Sequence, residues 1–156
     1  MQLALQQHFS AVNFVELHRI EISLSQASDN ITLPLKTLSN AYTGTIYIDE
    51  KPINCIFDTG STNTWIYHDS LTSFKPIDYS CSIQFGSGKL EGSFGTADIK
   101  VGDLVLKNQV FGKVKKTEVF DDEFSCIVGL AFPKMKAGSD WNVPFFDRLM
   151  QDHNIY

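Results

Sequence analysis

From residue 31 onward the sequence is a chain of short apolar or alternating runs broken by Gly, Asp, Asn and Pro, a pattern that leaves little room for anything but antiparallel strands. Residues 45–48 and 53–57 flank a turn at 49–52. Residues 82–85 and 90–94 flank Gly86-Ser87-Gly88, and 98–101 and 104–106 flank the Gly102-Asp103 turn, the strongest hairpin signal in the chain. Residues 109–114 and 125–130 read as further strands. Upstream, residues 15–24 alternate enough for an edge or half-buried strand, and residues 25–30 read as a polar loop. One helix is expected near the end: Pro144 suits a first turn, and Phe145, Phe146, Leu149 and Met150 share a side, leaving Asp147 and Arg148 exposed. The expectation is a mostly β fold of about six to eight strands with a short C-terminal helix.

With 156 residues the chain fits a single domain, and a net charge of -5 with no long Lys/Arg cluster argues against a nucleic-acid partner. No apolar run is long enough to span a membrane. The start, from Met1 to His8, lacks both a basic leader and an apolar core, so no convincing signal peptide is read there. The triplet Asn30-Ile31-Thr32 matches a glycosylation acceptor, which matters only in a secreted chain. Cys55, Cys81 and Cys126 are too scattered for a zinc site, and no metal is expected. The plainer reading is three small buried hydrophobes; the rival is one disulfide with an odd thiol, in which case Cys55 and Cys126, each in an apolar strand, are the pair.

The chemistry concentrates in residues 55–66. Asp58 follows an apolar strand and enters the turn Thr59-Gly60-Ser61, with Trp65 and Ile66 just beyond. Apolar surroundings disfavour its charged form, whereas hydroxyls and amides of the turn favour and orient it. Gly60 lets the backbone present the carboxylate rather than bury it. Taken alone, Asp-Thr-Gly-Ser is ordinary turn material and Trp65 ordinary core. The hairpin Phe85-Gly86-Ser87-Gly88, with Gly92 beyond it, would make a mobile tip suited to covering a cleft. The segment Ile127-Val128-Gly129-Leu130-Ala131 alone is a buried strand ending in a turn.

In this order the residues resemble the N-terminal lobe of the pepsin family of aspartic peptidases. Asp58, Thr59, Gly60 and Ser61 match the active-site loop, Trp65 the aromatic after it, Phe85 to Gly88 the flap tip, and Ile127 to Gly129 the hydrophobic-hydrophobic-Gly segment. Residues 42–49 look like the first long strand and residues 143–147 like the lobe-closing segment. The Phe-Gly-Ser-Gly flap also looks like that of the plasmepsin IX/X-like peptidases of apicomplexan parasites. The resemblance implies one lobe of the pepsin-like double-ψ barrel fold over residues 31–156, preceded by a partial prosegment-like region over 1–30. It further implies cleavage of polypeptides by water activated between two aspartates, without cofactor, in the secretory pathway, a vesicle or outside the cell. Asp58 would be catalytic, Thr59, Gly60 and Ser61 its loop support, Phe85, Gly86, Ser87 and Gly88 the flap over substrate, and Trp65 the flap's support.

The sequence departs from that pattern in four places. No second Asp-Thr/Ser-Gly turn occurs: Asp69, Asp103, Asp140 and Asp147 are all followed by other residues. One aspartate cannot both activate the water and protonate the carbonyl, so the chain alone is expected to be inactive, its partner being a second lobe in cis or a second copy in a retropepsin-like homodimer. A non-catalytic peptide-binding lobe is the competing expectation. The flap tyrosine of the family is Phe85, which can pack but not hydrogen-bond. The segment between Trp65 and the flap is too short for the family's small disulfide loop, and the basic helix of the prosegment is not visible before Leu33. A piece of a longer protein is the expectation that joins these departures.

Overall fold

A computed structural model describes residues 21–26, 29–38, 41–85, 88–120, 123–135 and 142–153. Among them ten strands precede one α-helix. Strands β1 (Glu21–Gln26) and β2 (Asp29–Pro34) form a two-stranded sheet in which Gln26 faces Asp29. Residues 25–26 and 29–30 are therefore strand rather than loop, paired across the sheet; residues 27 and 28 lie outside the described residues. The part of the expected first strand before residue 21 lies outside the described residues.

The other strands form one eight-stranded sheet, in the order β3 (Lys36–Leu38), β4 (Ala41–Ile48), β5 (Lys51–Asp58), β10 (Cys126–Gly129), β6 (Trp65–Ile66), β9 (Leu104–Thr117), β8 (Gly88–Val101), β7 (Lys75–Phe85). A pairing of β4 with β8 at Tyr47 and Lys100 folds the sheet back on itself. The expectation of a mostly β single lobe with a terminal helix holds, although the strands are longer than their sequence signals. The turn at 49–52 shrinks to Asp49 and Glu50, whose φ angles of 53° and 62° are the left-handed pair that matches the twist of a two-residue hairpin. The Gly102-Asp103 turn forms as read, with Val101 opposite Leu104.

Strand β10 gives the sheet its organisation. It lies between β5 and β6, parallel to the first and antiparallel to the second, so two strands consecutive in sequence are separated by one that arrives much later. The core has two parts. The larger gathers Ile46, Ile53, Leu106, Phe111 and Val128 with the helix residues Phe145 and Leu149, and the smaller gathers Trp65, Leu90, Phe94, Val110 and Val114. Helix α1 (Phe145–His153) starts at Pro144, whose carbonyl accepts from the Arg148 amide at 2.9 Å. Asp147 and Arg148 are half-buried rather than exposed, and Arg148 reaches Asp152 at 3.8 Å.

The plainer reading of the cysteines does not hold. Cys55 and Cys126 are register partners on β5 and β10, their Cα atoms 4.2 Å apart, and they form a disulfide. Two apolar strands brought side by side place both sulfurs where neither could be reached from the sequence spacing of 71 residues.

Candidate active site

Asp58 is the last residue of β5, half-buried, opposite Gly129 on β10. Its Oδ1 accepts from the amide of Gly60 at 2.8 Å, so the turn fixes its own carboxylate. The chain on the other side of the ladder completes the fixing. The Leu130 amide donates to the Asp58 carbonyl at 2.8 Å and the Ala131 amide to the Ser61 carbonyl at 2.9 Å. Thr62 Oγ1 donates to the Phe132 carbonyl at 3.2 Å. Gly129 is required by this closeness. A Cβ there would stand 2.3 Å from the Thr62 carbonyl carbon and 2.7 Å from both the Asn63 nitrogen and the Ser61 oxygen.

The hydroxyls of Ser61 and Thr64 are buried in this loop without hydrogen-bond partners among the described residues. The carboxylate is thus oriented by a backbone amide.

Trp65 is 1% exposed on β6, its ring centroid 5.2 Å from that of Phe94. Ile83 of β7 and Leu90 and Phe94 of β8 belong to the same cluster, so the β7–β8 hairpin packs together with Trp65. At the hairpin end Phe85 faces Gly88, and Gly88 has a φ of 149° that suits glycine. Gln84 Nε2 donates to the Gly88 carbonyl at 3.2 Å, and the Glu118 amide to that of Lys89 at 3.3 Å. Glu91, by hydrogen bond and charge, and then the charge of Glu118 raise the pKa of Lys89 beside the hairpin end. Gly86, Ser87 and the side chain of Phe85 lie outside what is described.

A second polar cluster, not anticipated from the sequence, anchors the stretch between Trp65 and the hairpin. Asp49 Oδ2 accepts from the Thr72 amide at 2.6 Å, the Thr72 hydroxyl at 3.1 Å and the Ser73 amide at 3.1 Å. Lys51 reaches the Ser70 hydroxyl at 2.9 Å and also its carbonyl. The Ser73 hydroxyl, although it makes no hydrogen bond of good geometry, is the largest influence on Asp49. Together with the Ser73 and Thr72 amides and the Thr72 hydroxyl, and against partial burial, it lowers the Asp49 pKa to about 2. A turn residue with a long-range task leaves no periodic signal; its sequence mark was only an Asp in a hairpin turn. Among the described residues, no helix is long and apolar enough to cross a membrane.

Residues 67–156, more than half of the chain, match the profile of the eukaryotic aspartyl protease family. Plasmepsin IX of Plasmodium falciparum is 34% identical over 157 aligned residues, which cover 82% of this chain and 25% of that protein. Aspartic protease 3 of Toxoplasma gondii is 33% identical over 164, covering 87% of this chain and 25% of that protein. Cathepsin E of Cavia porcellus is 36% identical over 140, covering 76% and 35%. The chain thus spans a quarter to about a third of the length of these relatives.

Proposed function

The chain belongs to the eukaryotic aspartyl protease family, and we propose that residues 31–156 form one lobe of an aspartic endopeptidase, with Asp58 as one of its two catalytic carboxylates. The observation that carries this reading is the double hold on Asp58: its side chain is fixed by the Gly60 amide and its backbone by the Leu130 amide across the β5–β10 ladder. A half-buried carboxylate held in place from both sides is suited to meet a second one. Two such groups close together cannot both ionise, so they share a proton. The ionised member takes a proton from a water between them, and the water attacks the peptide carbonyl. The protonated member polarises that carbonyl and then serves the leaving amine.

Gly60 holds the carboxylate through its amide, and Thr59 and Ser61 complete the loop that carries it. Phe85, Gly86, Ser87 and Gly88 form the flap that closes over an extended polypeptide, and Trp65 supports it. The second carboxylate comes from another lobe, in cis in a longer form of the protein or from a second copy. Residues 1–30 form a prosegment-like region. The buried disulfide favours an oxidising location, which agrees with the secretory pathway, a vesicle or the extracellular space.

The test is reconstitution with a second lobe that carries its own Asp-Thr/Ser-Gly turn. Pepstatin-sensitive cleavage at acidic pH is expected, reduced at least about a thousandfold by Asp58→Asn. Cleavage that persists in that variant overturns the assignment. Peptide binding that is unchanged by Asp58→Asn, with no cleavage by either form, would instead make the chain a non-catalytic binding lobe. Cleavage by the chain alone, with a dimer in sedimentation, would assign the partner to a second copy.

A further inference from the structure

We propose that the Cys55–Cys126 disulfide is a positioning device for the Asp58 loop, a covalent clamp that holds β10 in register against β5. Only the description of that loop as catalytic rests on the function proposed above; the clamp itself is argued from the strands.

The two cysteines stand at the foot of a ladder whose next rungs are Ile56 with Ile127, Phe57 with Val128, and Asp58 with Gly129. Residues 58–62 are held from the chain just beyond β10: the Leu130 and Ala131 amides donate to the Asp58 and Ser61 carbonyls and the Thr62 hydroxyl donates to the Phe132 carbonyl, while farther along the loop the Gly112 amide of β9 donates to the Thr64 carbonyl. Below the ladder, the Ser125 amide donates to the Asn54 carbonyl at 3.1 Å, and Asn54 Nδ2 to the Glu123 carbonyl at 3.3 Å. A slip of β10 by one residue would break all the contacts on its side together, because it exchanges the inward and outward faces of the strand.

Strand β10 has no local turn to hold it. The pairs β4–β5, β7–β8 and β8–β9 are hairpins closed by short connections. By contrast, β10 has four residues and pairs only with β5 and β6, both remote in sequence. A cross-link across 71 residues removes most from the entropy of the open chain where no local turn does so. Both cysteines are fully buried, which makes the bond a permanent part of the core rather than an exposed switch.

The experiment compares amide hydrogen exchange in the oxidised full chain with three others. One is the chain refolded in a dithiol reductant, which takes up the oxidation as the S–S bond becomes two thiols. The others are the double variants Cys55→Ala/Cys126→Ala and Cys55→Val/Cys126→Ala. Loss of the bond is expected to speed exchange at Leu130 and Ala131 at least about tenfold, while amides of the β8–β9 pairing stay within about threefold. The 13C chemical shift of the Asp58 carboxyl at fixed pH should move in the same samples, and reoxidation of the reduced chain should restore both readouts. Unchanged exchange at Leu130 and Ala131 overturns the proposal. So does an equal loss in both regions, failure to fold included, since the bond would then stabilise the domain as a whole. Asp58→Asn in the oxidised chain keeps the cysteines and should keep the protection, so a negative proteolysis result bears on the proposed function and not on the clamp.

Discussion

The Trp65 ring occupies the space that a side chain on Gly112 would need: its Cζ3 atom is 2.3 Å from where a Cβ would stand. The two residues are register partners on β6 and β9. Gly112→Ala is therefore expected to push the indole off its seat, at a cost of about 2–3 kcal/mol. Urea unfolding followed by Trp fluorescence would measure the loss. Cleavage by a reconstituted enzyme should weaken as well, because Phe94 of the β7–β8 hairpin packs on that ring.

Gly129→Ala meets backbone instead of a ring. The nearest atoms belong to Ser61, Thr62 and Asn63, which cannot turn aside as a side chain can. The expected cost is about 3 kcal/mol or more, together with displacement of the Asp58 loop. A chemical-shift map centred on residues 58–63, with the β8–β9 region quiet, would confirm where the strain goes.

Asp49 makes stability depend on acidity. Its pKa falls from 3.8 to about 2 in the folded chain, so its contribution is fully present above the unfolded value and disappears as pH drops through about 2. After allowance for solvent screening the contribution is about 1 kcal/mol. Asp49→Asn should lower stability by that amount at pH 5 and by almost nothing near pH 1.5, measured by denaturant unfolding at each pH. The Asp49 anchor is thus retained at mildly acidic pH.

Glu50 has a φ of 62° without being glycine, in the second position of a two-residue turn that favours Asp-Gly. Glu50→Gly should stabilise the chain by about 0.5–1 kcal/mol, since relief of the left-handed strain outweighs the added freedom of the unfolded state. A rise in thermal midpoint with unchanged peptide cleavage would bear this out; a fall would mean that the turn tolerates Glu better than its backbone suggests.

The hairpin turns were legible because their signals are local. Gly102-Asp103 and Pro144 mark the elements they begin or end, and Asp58 could be placed at the end of an apolar strand. The lengths of β7, β8 and β9 were not legible. The run 90–94 stops before Gly95, yet β8 continues through it, where the Phe74 ring packs close to the backbone; Gly92 and Gly112, inside runs that read as strands, lie against the Lys113 backbone and the Trp65 ring. The insertion of β10 between β5 and β6 leaves no trace in periodicity either, since pairing partners far apart in sequence need share only apolar character. The same holds for Asp49, whose partners lie 23 and 24 residues away.

The late arrival of β10 also sets an order in time. While the chain is being made, β4 and β5 can pair as soon as their turn has formed, but the rungs beside Asp58 must wait until Gly129 has left the ribosome. Contacts at such separation form slowly after the local ones. The carboxylate is thus synthesised early and fixed in place late, so a nascent chain spends much of its synthesis with β5 complete and its loop untethered.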